Sequence, residues 1–269
     1  MNNASFFIVL VILLHIVNNI SGVQHKSEFK RQENLKMEER LSHEDPHSYA
    51  NPEAVRTNHI HIELEIDFNK TQLHGKVILY LSKNDINAKT VKIDGRGLKI
   101  WSIYYLDGIN GSVPLNWKFT ESYVASMLSE LGDLIEITLP DLKKHHIFRI
   151  EITYETKPCQ RQLDVDLGHC DGLYWQRNKK MFYSVGQAIF TRQLIPCQDT
   201  PTAKTTYTAV ITAPEELKVL MSASEIESDK NGTGKRRTLF NQRKPIPTYL
   251  IVLAIGNFKR YELIKTFNL

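Results

Sequence analysis

The chain has 269 residues, room for one large domain or two ordinary ones; 42% of them are hydrophobic and 24% charged, so a sizeable core is within reach. Net charge is +4, from 34 basic and 30 acidic residues. The basic residues are spread rather than striped, which argues against a nucleic-acid binder, and Lys235-Arg236-Arg237 reads as a solvated hairpin end.

Phe6 to Val17 is an apolar run broken only by His15. It falls short of the roughly 20 residues a bilayer core needs, so no stable membrane span is expected. Small residues Ser21 and Gly22 follow, and residues 1–22 read as a signal peptide. No Lys or Arg precedes the run, and Asn19 and Ile20 stand where small residues are favoured, so a signal anchor and a misplaced start are the alternatives. The expected location is the secretory lumen or the exterior. In that setting Asn69-Lys70-Thr71, Asn110-Gly111-Ser112 and Asn231-Gly232-Thr233 are glycosylation sequons.

Residues 23–44 are too polar to bury a face and read as a flexible lead-in. At its end, His43-Glu44-Asp45-Pro46-His47 satisfies the zinc pattern H-E-x-x-H. That chemistry needs both histidines on one helical face. Pro46 would cost such a helix about 3 kcal/mol, and no apolar face exists to dock it, so the match is read as chance.

From Asn58 the pattern becomes period two: Ile60, Ile62, Leu64, Ile66 and Phe68 alternate with His59, His61, Glu63, Glu65 and Asp67, which predicts a half-buried strand. Further strands are predicted at Val77–Leu81, Val91–Ile93, Leu98–Tyr105, Leu134–Leu139, Ile147–Tyr154 and Leu173–Trp175. They continue at Met181–Val185, Thr206–Ile211, Lys218–Ser222, Arg237–Asn241, Tyr249–Ile255 and Phe258–Ile264. Turn pairs such as Asp94-Gly95, Asp107-Gly108 and Asn231-Gly232 separate them. Glu121–Leu131 is the one stretch with helical periodicity. The expectation is an all-β, multi-sheet domain without internal repeats.

Cys159 and Cys170 flank a polar segment and could close a short loop, a bridge that would contribute about 2–3 kcal/mol. Cys197 reads as a buried free thiol. His59 and His61 share a strand face, but two ligands do not make a metal site, and the pair reads as solvent-facing; so does His145-His146. No nucleophile elbow, phosphate loop or dinucleotide fingerprint occurs.

One block carries more. Gly186-Gln187-Ala188, Arg192, Pro196-Cys197-Gln198-Asp199-Thr200-Pro201, Lys204, Thr206-Tyr207 and Leu220-Met221-Ser222-Ala223 stand in fixed order. Asp45-Pro46-His47-Ser48-Tyr49-Ala50-Asn51-Pro52 precedes them, and Pro245-Ile246-Pro247-Thr248-Tyr249-Leu250-Ile251 follows. This set resembles the N-terminal domain of the leukotriene A4 hydrolase and aminopeptidase B branch of the zinc aminopeptidases. The resemblance implies an aminopeptidase N-like saddle of β-sheets over residues 45–265, lying on a separate zinc-holding catalytic domain. By position it makes Gln187, with Gly186 and Ala188, the segment that meets the free N-terminus of a bound peptide. The family often has a second glutamine two residues earlier, where this chain has Val185, so any grip would be altered.

The family's zinc helix and catalytic tyrosine would lie beyond Leu269. The expectation is therefore a substrate-side domain without its catalytic partner, holding no cofactor of its own and not hydrolysing peptides alone. The competing expectations are a secreted, non-catalytic binding or decoy module on the same β domain, and a small enzyme holding zinc through His43 and His47.

Overall fold

A computed structural model describes residues 42, 45–107, 111–120, 131–159, 168–230 and 232–259. Strand β1 (Val55–Asp67) follows the alternation seen in the sequence: Ile60, Ile62, Leu64 and Ile66 point into the core. The Asp67 carboxylate accepts the backbone N–H groups of Asn69 and Lys70 (2.9 and 3.1 Å), which turns the chain into antiparallel β2 (Gln72–Lys83). Beyond β2 lie β8 (Ile147–Thr156), β4 (Leu98–Asp107) and β5 (Gly111–Pro114). On the other side of β1 lie β12 (Thr205–Pro214), β15 (Lys235–Ile246) and β14 (Ser224–Lys230), completing an eight-stranded sheet.

The β1–β12 pair is parallel, whereas the other described pairings are antiparallel. A parallel pair needs a long crossover, and here the intervening chain supplies four more strands of this sheet, all of a second sheet and three strands of a third. Strands β3 (Thr90–Gly95), β7 (Asp133–Thr138) and β6 (Trp117–Thr120) form one. Strands β9 (Gly168–Cys170), β10 (Leu173–Gln176), β11 (Met181–Ser184), β13 (Lys218–Met221) and β16 (Leu253–Gly256) form the other, in the order β13-β16-β11-β10-β9. One apolar core joins all three, with Ile62, Leu79 and Ile150 from the first sheet, Val91 and Ile135 from the small one, and Trp175, Phe182 and Ile255 from the third.

Four strands escape the sequence reading: β5, β6, β9 and β14. β14 is exposed at every position, so it lacks the apolar alternation that marks a strand from sequence. Its place comes from hydrogen bonding to β15 alone. The predicted strand at Tyr249–Ile255 is shorter than expected. Thr248–Leu250 is a single 3-10 turn, and pairing starts only at Leu253. The reason is tertiary: the Thr248 hydroxyl turns inward to Asp199 (2.7 Å). The strand expected at Phe258–Ile264 is not formed where it is described, since Phe258 and Lys259 are in no regular element, and its residues 260–264 lie outside the described residues. The helix expected at Glu121–Leu131 also falls there, save Leu131, which is in a turn.

A charged cluster sits inside this apolar frame. Arg192, on the one-turn helix α1 (Thr191–Leu194), is 0% exposed. Its Nε donates to Asp199 Oδ2 (3.1 Å), one terminal nitrogen to the Asp199 carbonyl (2.9 Å), and the other to the Leu131 carbonyl. Asp94 lies 3.7 Å away and accepts the Ser48 hydroxyl (2.6 Å) and the backbone N–H groups of Tyr49 (2.7 Å) and Asp199 (2.9 Å). Burial alone would lower the Arg192 pKa, but Asp94 and Asp199 outweigh it and raise it, so the guanidinium stays charged.

Removing Arg192 strands two buried carboxylates and two carbonyls. Arg192→Ala is expected to lower unfolding stability by about 3–5 kcal/mol in urea titration, and Asp199→Asn, which keeps shape and several hydrogen bonds, by less. Loss of under about 1 kcal/mol in Arg192→Ala would contradict this account.

Candidate functional site

The Gly186-Gln187-Ala188 segment leaves β11 and enters α1 within a few residues. Its two ends are pinned. Val185 N–H donates to the Gly172 carbonyl (2.8 Å) and Phe190 N–H to the Gly186 carbonyl (2.8 Å). The Thr191 hydroxyl donates to the Thr248 carbonyl (2.9 Å), and Gln193 Oε1 accepts the Gly172 N–H (2.8 Å). Gly186 is buried against this frame, where a Cβ would lie 2.5 Å from Thr191 Oγ1 and 2.7 Å from the Tyr249 carbonyl oxygen, so only glycine fits. The next two residues come out: Gln187 and Ala188 are exposed, and the peptide bond between them is cis. The Gln187 amide makes no hydrogen bond to any described residue. A bond from Gln187 to sheet backbone, the ordinary alternative to a ligand contact, is therefore not formed. Val185 is half-buried and offers only its backbone.

The remaining signature residues lie beneath the loop rather than at the surface. Gln198 acts as a substitute strand edge, with Oε1 accepting the Thr57 N–H (2.9 Å) and Nε2 donating to the Val55 carbonyl (2.7 Å). That contact falls where β1 carries its register shift. Cys197 exchanges backbone hydrogen bonds with Asp94 (2.9 and 3.2 Å). Burial, then Asp199 and Asp94, pushes its thiol well above the ordinary range, so it stays protonated and a poor nucleophile. Burial likewise raises the Tyr207 hydroxyl to about 12; it meets Ser222 Oγ at 3.0 Å, and Ser222 Oγ also accepts the Val252 N–H. Spacing does not reveal these roles, because each partner is distant in sequence.

Where the structure describes it, the H-E-x-x-H match is a turn. The Asp45 carboxylate accepts the His47 N–H (2.9 Å), its carbonyl accepts the Ser48 N–H (3.3 Å), and His47 is exposed. His43 and Glu44 lie outside the described residues. Among the described residues no three His, Cys, Asp or Glu side chains converge as a metal site.

His59 and His61 are not the open pair expected. Both are half-buried, and their rings pack along the parallel β1–β12 junction. His59 Nδ1 and Nε2 meet the hydroxyls of Thr206 (2.7 Å) and Thr208 (3.1 Å); His61 meets Thr208 (2.8 Å) and Glu63 (3.1 Å). Thr206 and Thr208, at period two, were the signal, but only the parallel register brings them opposite the histidines. His145 and His146 are exposed as expected.

Cys159 is a disulfide cysteine and Cys197 a buried free thiol, while the Cys170 side chain lies outside the described residues. Asn69 is exposed in the β1–β2 turn; Asn110 and Asn231 lie outside the described residues.

The fold is an all-β, multi-sheet domain that carries a glutamine loop pinned at both ends and exposed at Gln187. Residues 46–250 match the Peptidase M1 N-terminal domain, and the chain belongs to that family. It is similar to leukotriene A-4 hydrolase of Xenopus laevis, 29% identical over 223 residues, covering 79% of this chain and 33% of that protein. Leucine aminopeptidase 2 of Neurospora crassa is 31% identical over 222 residues, covering 79% of this chain and 30% of that protein. The solved complex of yeast LTA4 hydrolase with bestatin superposes with a TM-score of 0.60 at 25% identity, over 83% of this chain and 32% of that one. An M1 zinc metallopeptidase of Deinococcus radiodurans shares the fold, with a TM-score of 0.59 at 22% identity, over 77% of this chain and 43% of that one. The chain thus spans about a third of the length of the curated relatives it matches.

The histidine ladder has a pH consequence. Burial first, then His61, lowers the His59 pKa below 6.5. Between the folded and unfolded values the unfolded chain binds more protons, so stability rises with pH there. The contribution is fully present above 6.5 and is lost as pH falls through the folded value. The urea midpoint should drop on going from about pH 7.5 to about pH 5.5, and His59→Asn should flatten that slope; an equal slope in both proteins would refute the assignment.

Proposed function

We propose that this chain is the substrate-side domain of a leukotriene A4 hydrolase- and aminopeptidase B-like zinc aminopeptidase, in which Gln187 receives the free N-terminus of a peptide. The supporting observation is the exposed Gln187 amide, without a partner among the described residues, on a loop whose flanks are all held. Its Oε1 accepts a hydrogen bond from an ammonium group, a charge-assisted contact of about 1.5–3 kcal/mol in a water-poor site. An N-acetylated peptide lacks that charge and presents one amide hydrogen, so the contact favours free N-termini. No bond-cleaving step is assigned to the described residues.

The outward face beside the loop supports a domain partner. Leu220 and Val252 lie on the same side of the β13–β16 pair, and Leu250 adjoins Tyr249, whose carbonyl packs on Gly186. All three are exposed or nearly so, at 47%, 36% and 40%. We propose that a zinc-holding catalytic domain covers this stripe and completes the peptide site. We further propose that the chain resides in a secretory lumen, glycosylated at Asn69, Asn110 and Asn231 and bridged between Cys159 and Cys170.

Two measurements test these readings. Titration of isotope-labelled protein with trialanine should shift the Gln187 side-chain amide, N-acetyl-trialanine should not, and Gln187→Ala should weaken binding about tenfold. Equal response to both peptides would overturn the ammonium assignment. In a secreting eukaryotic host, glycosidase treatment should lower the mass of the product, and Asn69→Gln should remove one glycan's share; an unglycosylated secreted product would overturn the glycan assignment.

A further inference from the structure

The outer face of the eight-stranded sheet carries a trough, in a different sheet from the strand β11 that leads to Gln187, and its construction follows from strand register. One rung across the sheet reads Arg237, Thr212, Glu65 and His74, from β15, β12, β1 and β2. The next reads Val210, Glu63, Lys76 and Thr153, from β12, β1, β2 and β8. The trough between them has a volume of about 510 Å³ and opens to solvent. Its floor is backbone. Gly75 lets β2 approach β1 so closely that a Cβ would lie 2.0 Å from the Glu63 carbonyl oxygen.

Trp101 closes one end. The β4–β8 register slips between Ile100 and Ser102, leaving Trp101 as the extra residue of a bulge, and it lines the trough. It is 54% exposed, unusual for an indole that could have packed inward. The Lys99 ammonium sits 3.6 Å from its ring centroid and also reaches Glu155 (3.4 Å), which holds the ring in place.

The charges along the trough cancel. The lining carboxylates Glu63 and Glu65 are matched by Lys76 and Arg237, and the adjoining Glu151 and Glu155 by Lys235 and Lys99, four against four. Lys76 bridges Glu63 (3.7 Å) and Glu151 (3.0 Å), and Lys235 pairs with Glu65. Neither an anion nor a cation is drawn in by net field. Yet hydrogen-bonding groups remain without protein partners among the described residues: the Arg237 guanidinium, the Thr153 and Thr212 hydroxyls and the Trp101 indole N–H. Balanced charge, many oriented donors and acceptors, and one exposed aromatic ring suit a ligand that is uncharged, rich in hydroxyls and apolar on one face.

We propose that this trough binds a neutral oligosaccharide, with a pyranose ring stacked on Trp101 and its hydroxyls meeting Thr153, the paired carboxylates and Arg237. This site is independent of the peptide contact at Gln187. Isotope-labelled protein is titrated separately with cellotetraose, chitotetraose and mannotetraose. At least one should shift the Trp101 indole N–H saturably without moving the Gln187 amide. Trp101→Ala should weaken binding, read on the Thr153 and Thr212 amides, by about tenfold or more. Arg237→Ala, at an exposed position in a strand, should weaken it too and serves as the second variant should Trp101→Ala fold poorly. Absence of saturable shifts with all three sugars overturns the proposal. So does unchanged affinity in both variants, or tighter binding of a heparin tetrasaccharide or of an acidic peptide at the same amides.

Discussion

A guanidinium locked inside an apolar domain sets the geometry on which the other features rest. Arg192 cannot leave its carboxylates without exposing an uncompensated charge to a low-dielectric core, so segments that supply its partners are held together. Those segments come from four places: Leu131 before β7, Asp94 on β3, Asp199 after α1, and through Asp199 the Thr248 turn before β16. The cluster thereby ties the small sheet and the five-stranded sheet to the chain entering β12. Such a cluster is a poor source of raw stability, since well-packed hydrophobic residues could do as much. Its use is directional: it accepts one arrangement of these loops and penalises others.

The glutamine loop inherits that order. Gly186 lies between Thr191 and the Tyr249 carbonyl, and both neighbours belong to segments pinned by the Arg192 cluster or by Thr191 itself. With both flanks immobile, the intervening residues have little freedom to fold back. Gln187 therefore points its amide outward instead of pairing with sheet backbone. Holding both ends in this way lowers the backbone entropy that ordering the loop would cost.

The two faces of the eight-stranded sheet show how one alternating pattern serves two ends. Inward residues such as Ile62, Leu79 and Ile150 build the core. Outward residues form a ladder of ion pairs and hydroxyls: His59 and His61 against threonines, Lys76 between two glutamates, Lys99 over Trp101. The buried and solvated halves are read from the same period of two, but which outward residues become neighbours depends on register. A one-residue slip of β12 against β1 would separate the histidines from Thr206 and Thr208.

Alternation in β1, β2, β8 and β12 is written in local order, because each apolar side chain must leave water on its own strand. The all-β class and most strands could therefore be read from the chain alone, as could the family resemblance and Gly186-Gln187-Ala188 as its candidate contact. Strand β14, exposed throughout, could not, since its only reason to be a strand is the edge of β15. Nor could the turn at Thr248, the buried duties of Arg192, Gln198 and Asp199, or the placement of Trp101 by a bulge. Each of these depends on partners far apart in sequence. Local order determined which residues seek burial; only the assembled sheets decided which polar groups would meet, because desolvated charges and strand edges must find their partners in space.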